Sequence, residues 1–297
     1  MNNKTLLLGN GLNRTLENSL SWRELMKELG STASEEDRIP FPIDFEQIAA
    51  KQGGMVGRRR DDAYKRLREK MSDIVTGMDN SAAGEVHQAF KNLGQQHVIT
   101  TNYDSLFESM YDCEQLITNP GGSKNILKSV SRSRDVDFYH AHGIGKWKNT
   151  LCLSHEHYIS LITKIRTTFF TDSNDENKEI LSSIIKGEIE STGTWPELLF
   201  TTDVAIVGLG LDYSEIDLWW LLAQRAALFS PCHQLSQFEN SIVYYYVNSP
   251  AATSDSAFHG RMHALEALGV EVRPVDAADY PDGYLKIAKM IQGTRGD

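Results

Sequence analysis

Short apolar runs that end in glycine or asparagine alternate along the chain with longer stretches whose apolar residues recur at helical spacing. Thr5 to Leu8 predicts a buried strand, and Gly9-Asn10-Gly11-Leu12-Asn13 follows as a turn. Ser21 is placed to N-cap a helix over WRELMKEL, with Glu24 completing a capping box and Gly30 as the stop. Ser31 to Pro42 reads as a polar loop, while Phe45 to Ala50, Asp61 to Val75 and Ala83 to Leu93 carry helical spacing. His97 to Thr100 is a second strand running into Thr101-Asn102-Tyr103-Asp104 and a helical SLFESMY; Asp137 to Tyr139 is a third, leading into His140-Ala141-His142-Gly143. Leu151 to Leu153 is a further strand candidate. Residues 155–199 read as mainly helical with a polar break at TDSNDEN, and Val204 to Val207 is the clearest buried strand, because apolar residues run without alternation and end in Gly208-Leu209-Gly210. Helix over Glu215 to Phe229, strand over Ile242 to Val247, helix over Ser256 to Leu268, strand over Val270 to Val275 and helix over Tyr284 to Ile291 complete the pattern. Alternating strands and helices imply βαβ units, hence an α/β fold with a doubly wound, mostly parallel sheet.

Composition narrows the function classes. The 297 residues carry 30 Lys+Arg against 40 Asp+Glu, a net charge of −10. Phosphate backbones and anionic membranes are held by clustered cations, so neither nucleic acid nor a membrane is the expected partner. The basic segment Arg58 to Lys70 mixes signs and reads first as a solvated helix face, with a local phosphate-binding face as the alternative. Three scattered cysteines, Cys113, Cys152 and Cys232, form neither a disulfide framework nor a CxxC pair. With no apolar run near the roughly 20 residues of a spanning helix and no signal-peptide pattern at the start, the expected location is the cytoplasm. A single domain over 1–297 is expected, with helical insertions at about 31–95 and 120–200.

In a doubly wound sheet ligands bind at the carboxyl ends of the strands, near the point where strand order reverses. Four unusual polar clusters, GNGLN, TTNYD, HAHG and GLGLDYSEID, each fall just after a predicted strand, which points to one shared site. Gly9 and Gly11, and again Gly208 and Gly210, allow close backbone approach to a phosphate; a tight turn asks for the same glycines on steric grounds alone. Thr101, Asn102 and Asp104 suit ribose hydroxyls and an amide, or an ordinary helix N-cap. His140 and His142 alternate along a strand, so one imidazole can face a given side, as general base or as a core histidine. Two His-x-His pairs, at 140–142 and 155–157, raise a metal site, but His155 and His157 at a helix start share no face, and no metal is expected. The aromatic runs Trp219-Trp220 and Tyr244 to Tyr246 read as core, and no GxSxG elbow is present.

Taken in order across residues 5–250, these four clusters resemble the sirtuin-like fold, a Rossmann-like core, and are most similar to the zinc-less sirtuin-like NAD-cleaving proteins of bacterial anti-phage defence. The resemblance implies that Gly9, Asn10, Gly11 and Asn13 of the first loop receive the NAD phosphates. It implies that Asn102 and Asp104, matching a TQN-x-D motif in which Thr101 stands for the usual Gln, handle the nicotinamide ribose and carboxamide, and that His142 of the HG motif acts on the ribose hydroxyls. Gly208, Gly210 and Asp217 fit the late glycine motif, and Asn248 the adenosine-ribose asparagine. A deacylase of the family would carry a structural zinc on two CxxC pairs and a GIPxFR continuation of the first loop; this chain has neither, and helical insertions take the place of the zinc module.

The implied activity is hydrolysis of NAD⁺ to nicotinamide and ADP-ribose, held off until infection by homo-oligomerisation or a separate sensor or activator subunit. The alternatives are a catalytically silent nucleotide-sensing or assembly subunit and an ADP-ribosyltransferase, and fold alone does not decide among them.

Overall fold

The computed structural model describes residues 4–17, 19–34, 37, 39–52, 57–78, 82–118, 121–122, 126–170, 180–248 and 256–293. Its strands are β1 (Lys4–Leu8), β2 (His97–Thr100), β3 (Glu114–Gln115), β4 (Ser131–Ser133), β5 (Val136–His140), β6 (Asp203–Val207), β7 (Ile242–Asn248) and β8 (Glu271–Asp276). They form one eight-stranded sheet in the order β3-β4-β5-β2-β1-β6-β7-β8. The six strands from β5 to β8 are parallel, and β4 and β3 add antiparallel at the β5 edge. From β1 the chain winds one way through β2 to β5 and then the other way through β6 to β8. The order therefore reverses between β1 and β6, as expected for a doubly wound, Rossmann-like α/β fold.

The strands are apolar on both faces, which is why they read as continuous runs and not as alternations. Leu7, Ile99, Tyr139, Ile206 and Tyr244 face one core, closed by α5 (His155–Phe169), α6 (Ile180–Ile185), α7 (Trp195–Thr201) and α8 (Ile216–Leu228). Their strand neighbours Leu6, Leu8, Val98, Phe138 and Tyr245 face the other, under α4 (Glu85–Lys91) and the C-terminal helix Tyr280–Gly293. A third cluster joins α1 (Trp22–Leu29), α2 (Phe41–Lys51) and α3 (Arg58–Met78) through Leu25, Met26, Phe45, Ile48, Leu67 and Met71, and reaches Tyr103, Leu151 and Leu153. These three helices thus stand over the loops that follow β2 and β5.

The capping box at Ser21 and Glu24 forms as the sequence predicts, and Gly30 closes α1 at φ 111°. The helix expected over SLFESMY is instead a single 3-10 turn, Glu108–Met110: Asp104 caps Leu106, and the Tyr111 ring packs edge-on against Phe138 at 4.9 Å, drawing the chain back to the sheet. Leu151 to Leu153 is no strand; fully buried, it crosses the core beside the HG turn, Cys152 N–H donating to the His142 carbonyl at 2.8 Å. The two edge strands β3 and β4 carry no apolar run and were not foreseen. The polar break at TDSNDEN lies outside the described residues. Among the described residues no helix is long and apolar enough to cross a membrane.

Candidate active site

The glycine loops after β1 and β6 meet at the reversal point. Gly9 N–H donates to the Val207 carbonyl at 3.0 Å and Gly11 N–H to the Gly208 carbonyl at 2.7 Å. A Cβ on Gly9 would stand 2.5 Å from the Gly208 carbonyl oxygen and the Leu209 Cα, so this pair of loops closes only with glycine. Gly208 has φ 65°, and three residues later Leu211, fully buried, also holds a left-handed φ of 44°. A branched residue there is strained, and it sits where the loop swings into α8. Gly210 has open space over its Cα. A cleft bounded by Asn10, Gly11, Arg14, Trp22, Gly210 and Glu215 lies on one side of this junction, and an aromatic cleft of Tyr244, Tyr246, Phe258, Tyr280 and Arg261 on the other.

Beneath the first loop lies an inner polar layer. Asn13, 3% exposed, donates its amide to Asp104 Oδ2 at 2.9 Å, and its Oδ1 meets His87 Nε2 at 3.0 Å. Asp104 Oδ1 accepts from the Leu106 N–H at 3.1 Å, and burial raises its carboxyl above the usual range. Asn102 donates to the Gly9 carbonyl at 3.4 Å, while its Oδ1 is buried and without a hydrogen-bond partner among the described residues. His140, at the end of β5, sets Nδ1 against the Asn102 carbonyl at 3.1 Å and Nε2 against Glu108 at 3.2 Å. Burial pulls its pKa down, but the Glu108 charge and hydrogen bond raise it overall.

His142 belongs to another neighbourhood. β5 ends at His140, so His142 sits in the turn beyond the strand, and Gly143 follows at φ 97° because the Thr150 carbonyl would collide with a Cβ at 2.3 Å. His142 Nε2 lies 3.2 and 3.0 Å from the two oxygens of Asp217, in the first turn of α8, and its ring packs edge-on to Tyr158 at 5.2 Å. Both partners are sealed, with His142 1% and Asp217 0% exposed. Burial disfavours the imidazolium, yet the Asp217 charge and hydrogen bond raise the pKa above its ordinary value. Asp217 is thus the orienting partner of His142 and not a surface of the glycine cleft.

The other residues singled out in the sequence fall into three places. Gly9, Asn10, Gly11, Gly208 and Gly210 build the junction, with the Asn10 amide donating to the Leu20 carbonyl at 2.8 Å. Asn13, Thr101, Asn102 and Asp104 lie below it, Thr101 fully buried with its N–H donating to the Leu8 carbonyl at 3.1 Å. Asn248, at the far end of β7, donates to Asp276 at 2.7 Å. Sequence reasoning missed His87, Glu108 and Glu215. His87 and Glu108 lie in helical segments with no motif, whereas Glu215 stands inside the late glycine motif itself.

The donor set suits a dinucleotide. The Asn102 Oδ1 can accept from a carboxamide N–H, Gly210 leaves open space beside the junction, and the aromatic cleft, with an Arg261 Nε that has no hydrogen-bond partner among the described residues, can serve as a base platform. Among the described residues no group of three His, Cys, Asp or Glu is arranged to hold a metal ion. Comparison with curated proteins gave no match. Residues 96–212, which run from β2 through the HG turn to the late glycine loop, are similar to the SIR2-like domain family.

Proposed function

We propose that the chain is an NAD⁺ glycohydrolase that cleaves NAD⁺ to nicotinamide and ADP-ribose. The observation that carries this reading is the placing of the four polar clusters at the carboxyl ends of β1, β2, β5 and β6, on either side of the point where strand order reverses; the SIR2-like match, which suggests NAD-related activity in general, agrees with it. In this reading the glycine junction and Asn13 support the phosphates, Asn102 holds the carboxamide, and Asp104 fixes Asn13 and the turn beneath it. His142, oriented by Asp217, accepts the hydrogen bond or proton of a ribose hydroxyl. Departure of neutral nicotinamide through an oxocarbenium-like state, followed by water, completes the reaction.

The biological setting we propose is abortive infection in anti-phage defence, in the cytoplasm, with the enzyme held inactive until triggered. A resting state fits the sealed His142–Asp217 pair and the Asn102 amide already engaged by the Gly9 carbonyl. Homo-oligomerisation or a separate sensor subunit would open it. The same sealing favours, as a second reading, a catalytically silent nucleotide-sensing or assembly subunit.

Nicotinamide release from labelled NAD⁺ by the purified chain, with and without extract of phage-infected cells, decides between them. Free ADP-ribose identifies the hydrolase, and label on macromolecule identifies an ADP-ribosyltransferase. Bound but uncleaved NAD⁺ under every condition sinks the hydrolase in favour of the sensor.

A further inference from the structure

One buried acid at the junction has no part in the chemistry above. Glu215 is 7% exposed, closes the cleft that Gly11 and Gly210 border, and immediately precedes α8, two residues before Asp217. The His142–Asp217 pair is sealed, so neither partner meets the cleft directly. Glu215 stands between: it borders the cleft, and it is near enough for the charges of His142 and Asp217 to act on its carboxyl. Hydrolysis of NAD⁺ releases one proton from the attacking water, and a basic group in the cleft is placed to take it.

Resting on the NAD⁺-cleavage reading, we propose that Glu215 is the general base of the reaction, a catalytic residue that takes the proton of the attacking water. The C1′–N bond breaks with its electron pair passing to the nicotinamide ring nitrogen, which becomes neutral. The water oxygen bonds to C1′, its proton moves to the Glu215 carboxylate, and Glu215 returns that proton to solvent through the cleft.

Charged and titratable neighbours come from every side. Burial is the main influence and raises the Glu215 pKa, His142 from the HG turn lowers it, and Asp217 of α8 and Asp212 of the preceding loop raise it; the outcome is about 7. Arg14 borders the same cleft, and Tyr103, Tyr158 and Tyr244 lie close enough to feel its charge. A base near pH 7 is well matched to neutral conditions, because it is half-available as carboxylate and still holds a proton once it has taken one.

The test compares wild type, Glu215→Gln and Glu215→Asp for NAD⁺ cleavage between pH 5 and 9, for NAD⁺ affinity and for rescue by sodium azide, a nucleophile that carries no proton to remove. The proposal expects kcat of Glu215→Gln to fall by about 10²-fold or more, with NAD⁺ affinity within a few-fold of wild type. Azide should restore turnover to Glu215→Gln, giving the azido-ribose product, but not to His142→Ala. Glu215→Asp, which keeps the carboxylate, should retain the acid limb of the wild-type profile. A Glu215→Gln variant with wild-type kcat and pH profile, or one that azide leaves inactive although it folds and binds NAD⁺, overturns the general base alone. Wild-type protein that binds but never cleaves NAD⁺ overturns the activity on which it rests as well.

Discussion

His140 and His142 are two residues apart and equally buried, yet they bind the molecule together in different ways. His140 ties neighbours within one half of the sheet: its partners are the Asn102 carbonyl after β2 and Glu108, whose side chain is 16% exposed. His142 reaches across the reversal point, from the turn after β5 to Asp217 on the helix after β6, and both ends are dry. A local tie can be lost while water repairs it; a buried tie between the two halves cannot. The difference links the candidate chemistry to the closure of the site, because the contact that orients His142 also holds α8 and its loop in place.

The largest effect expected from this contrast is in His142→Ala. It leaves the Asp217 carboxylate buried without its partner, so urea denaturation should show a loss of about 3–5 kcal/mol, beside loss of NAD⁺ cleavage. His140→Ala should cost clearly less, since Glu108 can be hydrated. Equal losses in the two variants would remove the distinction.

The loops come next. Gly9→Ala forces a methyl group against the Gly208 carbonyl and the Leu209 Cα and should cost about 1–3 kcal/mol in the same measurement. Gly210→Ala, with open space around it, should cost far less. The ordering reverses if Gly9 is free to move away from the late loop.

The histidines also separate by pH. Burial lowers His87 to about 4 and, reinforced by Arg68 and Arg60, lowers His157 to about 3. In the unfolded chain both titrate near 6.5. The folded state therefore binds fewer protons below that pH, and stability is lost as pH falls from about 6.5 through the two folded values. His87→Gln should flatten part of that slope, on the order of 2 kcal/mol between pH 6.5 and 4. His140 and His142 have raised values, so their contribution is complete below about 6.5 and declines as pH rises through the folded pKa. A stability profile flat from pH 7 to 4 would contradict the buried neutral state of His87 and His157.

The smallest effect is at the margin. Asn248→Ala removes one partly exposed contact to Asp276 and should change stability by no more than about 0.5 kcal/mol. A several-fold weaker NAD⁺ affinity in that variant, read by calorimetry, is expected if Asn248 meets the adenosine ribose.

The parts of this architecture that follow one physical rule were legible in the chain. Buried parallel strands announce themselves because both faces are covered, so β1, β2, β6 and β7 stand out, and Ser21 and Glu24 mark a helix start by their spacing. The glycine loops show themselves for the same reason: they lie at strand ends where only glycine fits. Edge strands β3 and β4 were hidden because pairing at a sheet edge needs no apolar run. Pairings between distant residues were hidden as well. Nothing in HAHG or SEID announces that His142 and Asp217, 75 positions apart, share two close contacts, nor that His87 closes on Asn13. Those pairings arise from the winding of the sheet, which brings α8 over the HG turn and α4 under the first loop.

The most direct test of the central claim is nicotinamide release by the purified, triggered chain beside Asn102→Ala and His142→Ala, each shown to be folded at the assay temperature. The account predicts cleavage by the wild type and a fall of about 10²-fold or more in both variants. Wild-type cleavage rates in folded Asn102→Ala and His142→Ala would contradict it.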